Sequence, residues 1–75
     1  MPKPPRISGK DTIRALERLG FFQIRQQGSH VILKKQTLRD DIGCVVPLHR
    51  ELAPGTLKSI LKQAQISLDE FIENI

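Results

Sequence analysis

Gly20 separates two segments of the chain whose apolar residues repeat with different periods. Before it, Ile13, Leu16 and Leu19 recur at the spacing of one face of a helix. After it, residues 22–26 alternate in the two-residue period of a half-buried strand. A helix that passes into a strand within so few residues restricts the chain to folds that mix the two elements.

The first helix is predicted over residues 9–19. Ser8 with Asp11 three residues later is an acidic variant of the N-terminal capping signature, and Gly20 supplies the stop. Residues 1–7 are predicted as an extended N-terminal arm, because three of the first five residues are proline. The outward face of the helix carries four charged side chains: Lys10, Arg14, Glu17 and Arg18.

Two further strands follow. Gln27-Gly28 offers a tight turn into a second strand over residues 29–34, which completes a hairpin. A polar connection over residues 36–41 leads to a third strand over residues 42–46, which Pro47 ends.

Alternation along the second strand separates its side chains onto two faces. Val31 and Leu33 lie on one face, and His30, Ile32 and Lys34 lie on the other. The sequence therefore predicts that the histidine and this lysine share a surface.

Two helices are predicted at the C-terminal end of the chain. The first begins at Pro54 and ends near Gln65. Ser67 and Glu70 form a capping box for a short last helix over residues 68–74. The longer helix has an apolar stripe at helical spacing: Leu57, Ile60, Leu61 and Ala64.

The element order αβββαα predicts an α+β fold. Three antiparallel strands with helices on one face form a two-layer sandwich, as in the double-stranded-RNA-binding type of domain. With 75 residues the chain has room for one such domain, which we assign to residues 1–75.

Cysteine content and hydropathy indicate the cellular compartment in which the chain is expected to work. The lone Cys44 cannot close an internal disulfide, as is usual in reducing compartments. No run of roughly 18 apolar residues is present to cross a membrane. These features predict a soluble cytoplasmic protein with no membrane partner.

The charge is divided unequally along the chain. Residues 1–39 carry nine basic and two acidic groups, a net charge of +7, whereas residues 40–75 carry three basic and six acidic groups, a net charge of −3. A basic half on a small domain indicates a polyanionic partner such as nucleic acid. Arg25, Lys34, Lys35 and the charged face of the first helix are candidates to follow an RNA backbone, or they form ordinary solvated surface.

Three side chains are candidates for chemistry near neutral pH. His30 follows the Gly28-Ser29 turn at the start of a strand, where an exposed group is held rigidly, although a histidine at such a position is more often a plain surface residue. His49 either contacts phosphate or bonds a backbone carbonyl. Cys44 is more typical of a small buried apolar residue.

Metal chemistry is poorly supported by the residues. A zinc site of His30, Cys44 and His49 would lack a fourth protein ligand of nitrogen or sulfur. Asp40-Asp41 has no third acidic ligand nearby and is typical of a turn. The sequence therefore predicts no metal and no cofactor.

Three strings of residues in this order carry a family resemblance. The first is Leu19-Gly20-Phe21 leading to Arg25-Gln26-Gln27-Gly28-Ser29-His30. The second is Val46-Pro47-Leu48-His49-Arg50-Glu51-Leu52, and the third is Gly55-Thr56-Leu57-Lys58-Ser59-Ile60-Leu61. From residue 8 to about residue 72 the chain resembles the HicA/YcfA-like mRNA interferase toxins of toxin–antitoxin pairs.

The resemblance implies a function and a site. Members of this family cleave mRNA until a HicB-type antitoxin binds and masks them, and operator DNA is contacted only through the antitoxin complex. The histidine of the family's Gly-Ser-His motif is catalytic, and it corresponds to His30. His49 matches the Pro-x-His histidine, whose role the resemblance leaves open. Gln65 replaces the glycine that many relatives carry at this helix end.

The mechanism expected from the resemblance is metal-independent RNA cleavage. The substrate's 2′-OH is the nucleophile, His30 transfers protons, and Lys34 and Lys35 stabilise the charge at phosphorus. Arg25, Ser29 and His49 are the other residues expected to contact RNA. The alternative is a non-catalytic RNA-binding module or translation adaptor on the same fold.

Overall fold

Helices cover one face of a three-stranded antiparallel sheet in the computed structural model, which describes residues 3–75. The sheet order is β1-β2-β3. This confirms the predicted α+β two-layer fold. The elements in chain order are α1 (Gly9–Arg18), β1 (Phe22–Gln27), β2 (His30–Gln36), β3 (Asp41–Pro47), α2 (Pro54–Ala64) and α3 (Leu68–Glu73).

The core lies between the helices and alternate positions of β2 and β3. Val31 pairs with Val46 and Leu33 pairs with Cys44 across β2 and β3, and all four are buried. The predicted apolar stripe of α2 is buried against them. Burying a Leu or Ile side chain contributes about 1.5–3 kcal/mol, so this contact accounts for much of the stability of a small domain.

β1 differs from the half-buried strand that the sequence predicted. All six of its residues are exposed, and the register of its pairing with β2 shifts between Gln23 and Arg25. The physical reason is that α1 and α2 pack on β3, at the opposite edge of the sheet, and leave the side chains of β1 open to solvent. At the β3 edge the Val45 N–H donates to Gln63 Oε1 at 3.2 Å.

The helix ends match the predicted caps. Ser8 Oγ accepts a hydrogen bond from the Asp11 N–H at 3.0 Å, and Ser67 Oγ accepts one from the Glu70 N–H at 3.1 Å. At the end of α2, Gln65 adopts the left-handed conformation with φ of 58°. Glycine reaches this conformation at no steric cost, which explains why a glycine suits this position.

The segment before α1 enters the core before the helix begins. Ile7, which the sequence placed at the end of the extended arm, is 6% exposed, and its carbonyl accepts a hydrogen bond from the Leu52 N–H at 2.8 Å. Residues 3–6 form no helix or strand. The arm's first two residues lie outside the described residues.

Candidate functional site

His30 stands at the tip of the β1–β2 hairpin. The loop consists of Gly28 and Ser29, one residue later than the predicted Gln27-Gly28 turn, because Gln27 still pairs with His30. Gly28 has φ of +57°, a conformation that glycine adopts without strain. The Gln26 side-chain amide donates to the Gly28 carbonyl at 2.9 Å. A side chain of the hairpin itself therefore stabilises the turn.

The central strand positions the His30 side chain in solvent. His30 is paired with Gln27 on one side and with Pro47 on the other, so its backbone is fixed by both neighbouring strands. His30 is exposed to solvent. An imidazole on a fixed backbone and open to solvent can reach a bound ligand and exchange protons with it.

The Pro47-Leu48-His49 loop lies directly beside this turn. The Leu48 N–H donates to the Ser29 carbonyl at 2.7 Å, and the His49 carbonyl accepts a hydrogen bond from the Gly9 N–H at 2.9 Å. The loop is thus fixed between the hairpin turn and the first residue of α1. The structure brings together two of the three motif strings, which are far apart in the sequence.

The predicted cations divide between the two faces of the sheet. Arg25 pairs with Ile32, and Lys34 pairs with Phe22 and Gly43, so both lie on the exposed face that carries His30. The Lys34 Nζ lies 2.8 Å from the Asp41 carboxylate. The register shift in β1 is what places Arg25 on this face.

Lys35 lies on the opposite face from His30. It pairs with Ile42, a residue that packs against the core, and its Nζ lies 5.9 Å from the centroid of the Phe21 ring. Successive residues of a strand point to opposite sides of a sheet. Lys34 and Lys35 therefore do not form one surface around His30.

Two adjoining cavities open on the helix side of the hairpin tip. One, of about 310 Å³, lies between α1 and β1. The other, of about 420 Å³, lies beside the His49 loop, and both are lined by Lys10 and Leu48. Further polar lining comes from Ser8, Arg14, Glu17, Gln23, Gln26, His49 and Arg50.

Sequence reasoning missed Arg50, Gln23 and Gln26 as site residues. Arg50 follows His49 directly in the second motif string, which is the signal that could have found it. The two glutamines line the cavity because the register shift in β1 places both opposite buried residues of β2. No local sequence signal predicts that shift.

No three His, Cys, Asp or Glu side chains of residues 3–75 are grouped as a metal site. No helix among them is long and apolar enough to cross a membrane.

Cys44 is a core residue, as the sequence predicted, and its thiol is hard to ionise. It is 3% exposed, and burial raises its pKa from the ordinary 9.0 to about 11. Because the pKa is raised on folding, the folded state loses stability as pH rises above 9 toward 11, when the unfolded thiol ionises first.

We expect native Cys44 to react with a thiol reagent at pH 8 much more slowly than the urea-unfolded chain, because the thiolate is the reactive form. Absorbance of released thionitrobenzoate measures both rates. Equal rates in the folded and unfolded chains would contradict the buried position.

The element order and the position of the hairpin tip define the class of this protein. Helices packed on one face of a β1-β2-β3 meander are the architecture of the double-stranded-RNA-binding type of domain, with Gly-Ser-His at the first turn. A family model described as the HicA toxin of bacterial toxin–antitoxin systems matches residues 9–66. The chain belongs to the HicA toxin family, and it is the toxin of a toxin–antitoxin pair. None of the curated proteins compared with the chain matches it.

Proposed function

We propose that this toxin is a metal-independent endoribonuclease that cuts mRNA in the cytoplasm and uses His30 as its general acid or base. The observation that carries the proposal is the position of His30. It is an exposed imidazole at the first residue of the central strand, beside a turn that is hydrogen-bonded to the Pro47–His49 loop. Membership of the HicA family supports a role as a toxin, and the imidazole is a group that can transfer protons near neutral pH.

The reaction needs one new bond and one broken bond at the same phosphorus. The ribose 2′-oxygen attacks phosphorus as its proton passes to a base, and the bond from phosphorus to the 5′-oxygen breaks as that oxygen takes up a proton. The products are a 2′,3′-cyclic phosphate and a 5′-hydroxyl. His30 is placed to carry one of these protons, an effect worth typically 10²- to 10⁴-fold in rate.

Arg25 is the cation proposed to stabilise the charge that develops on the phosphoryl oxygens, because it lies on the same sheet face as His30 and pairs with Ile32, two residues further along β2. Lys34 lies on that face as well, but four residues from His30 and paired with Asp41, so it is proposed to contact the RNA away from the reacting phosphate. Ser29 and His49 flank the hairpin tip and are proposed to contact the RNA there. Lys35 is proposed to contact RNA on the helix-covered face of the sheet, away from His30.

A HicB-type antitoxin is the proposed protein partner. Family membership implies an antitoxin, and the basic N-terminal half is complementary to an acidic inhibitor that would cover the RNA-binding cations. Operator DNA is proposed to be contacted only through that complex.

Incubating the purified chain with a labelled single-stranded RNA in excess chelator tests the proposal. We expect fragments to accumulate, because no step uses a metal ion. A non-catalytic RNA-binding module would instead shift the RNA in a native gel and leave it intact. That outcome would overturn the proposed activity.

A further inference from the structure

We propose that single-stranded RNA reaches the hairpin tip along the helix side of the molecule, through a trough formed by the two cavities that share Lys10 and Leu48. This inference rests on the proposed function for the identity of the ligand. It assigns the binding path to residues other than those around His30.

The two cavities of the trough are neighbours. Lys10 and Leu48 border both of them, so a ligand that contacts these two side chains can extend into either cavity. One end reaches Gln26, whose amide is bound to the Gly28 carbonyl in the turn before His30. RNA that leaves the trough here crosses a two-residue turn to meet the imidazole. The other end reaches Arg50.

The lining matches the parts of a nucleotide. Lys10 and Arg50 supply positive charge for phosphates along the trough. Arg14 adds a third cation, since its contact with Asp11 is long at 3.6 Å and exposed to solvent. Leu48, which is 39% exposed, offers an apolar wall for a base, and Gln23 offers an amide for hydrogen bonding.

The exposed face of the sheet is less suited to RNA. Lys34 is already paired with Asp41 at 2.8 Å. Between the charged positions lie apolar side chains, with Phe22 45% and Val45 40% exposed. Arg25 is the other predicted RNA-binding cation on this face. The two adjoining cavities are lined by Lys10, Arg14 and Arg50, with Glu17 as the one acidic lining residue among residues 3–75, so a polyanion gains more in the trough.

The test compares two triple variants with the same change in net charge. The trough variant is Lys10→Gln/Arg14→Gln/Arg50→Gln. The control is Arg39→Gln/Lys58→Gln/Lys62→Gln, which removes three exposed cations elsewhere. Both are made in a His30→Ala background so that RNA is not cut, and binding of a fluorescein-labelled single-stranded RNA is followed by anisotropy over a range of salt concentrations.

We expect the trough variant to bind at least about tenfold more weakly than its parent, with the slope of log K against log salt smaller by about 2. The control should stay within about threefold of the parent. Equal weakening in both variants would overturn the trough, since only net charge would matter. Unchanged RNA binding in the trough variant would also overturn the trough. If Phe22→Ala weakened RNA binding in that case, the RNA would lie on the exposed face of the sheet. If only the affinity for the antitoxin fell, the trough would be an antitoxin surface. Trough-dependent binding by a wild-type chain that never cuts RNA would support the trough and refute the proposed nuclease.

Discussion

Replacing His30 by alanine is expected to slow RNA cleavage by about 10²- to 10⁴-fold while the domain stays folded. The loss follows from removing the only proposed proton carrier at the hairpin tip. The fold should persist because His30 is exposed and its backbone pairing with Gln27 and Pro47 does not depend on the side chain. Exposed substitutions of this kind usually change the free energy of unfolding by less than about 0.5 kcal/mol.

Gln27→Ala is the matched control, because Gln27 is exposed and pairs directly with His30. Single-turnover cleavage of labelled RNA measures the rate, and circular dichroism on heating measures the fold. We expect Gln27→Ala to cut at nearly the wild-type rate. A folded His30→Ala chain that cuts as fast as the wild type would remove His30 from the chemistry and direct the search to His49.

Gly9→Ala is expected to destabilise the fold by about 3 kcal/mol or more, through overpacking against backbone that has no room to move. A Cβ at this position would lie 2.0 Å from the Pro47 carbonyl oxygen and 3.1 Å from the Leu48 Cα. Relief requires α1 to move away from the loop, which breaks the hydrogen bond from the Gly9 N–H to the His49 carbonyl. The close approach of Gly9 to Pro47 and Leu48 therefore also positions the His49 loop.

Gly55→Ala provides the comparison for this prediction. Gly55 lies in the first turn of α2, and a Cβ there meets nothing within 4 Å. We expect this variant to be more stable than the wild type by about 0.4–1 kcal/mol, because alanine restricts the unfolded chain. Thermal unfolding measures both, at roughly 4–8 °C per kcal/mol for a domain of this size. A Gly9→Ala chain that melts with the wild type would show that the close approach is not needed.

The secondary structure was predictable because its signals are local. The apolar stripe of α2, the caps at Ser8 and Ser67 and the stop at Gly20 each depend on residues within one or two helical turns. The alternation in β2 likewise separates buried Val31 from exposed His30 without any knowledge of the neighbouring strands.

Features that depend on contacts between distant segments were not predictable. The bulge between Gln23 and Arg25 is a feature of how β1 pairs with β2, and the complete exposure of β1 follows from the helices packing on β3. Burial of Ile7 depends on its hydrogen bond with Leu52, 45 positions further along the chain. A proline-rich composition alone contains no information about that contact.

The candidate site shows the same division. His30 was found from its motif and its position in a strand. Its neighbourhood, with the Ser29 carbonyl bound to Leu48 and the cavities lined by Lys10 and Arg50, exists only after β3 returns beside β2. Lys34 and Lys35 were both assigned to the charge at phosphorus, but the structure places them on opposite faces of the sheet because adjacent strand residues face opposite ways.

The chemical identity of the RNA ends tests the central claim most directly, because it reports which oxygen attacked phosphorus. Fragments made by the purified wild-type toxin in excess chelator are analysed by mass spectrometry. Proton transfer by His30 to or from a substrate that supplies its own 2′-oxygen predicts 2′,3′-cyclic phosphate, or the 3′-phosphate formed from it, opposite a 5′-hydroxyl. Fragments that end in a 3′-hydroxyl and a 5′-phosphate would show that water attacked instead, and would contradict the account.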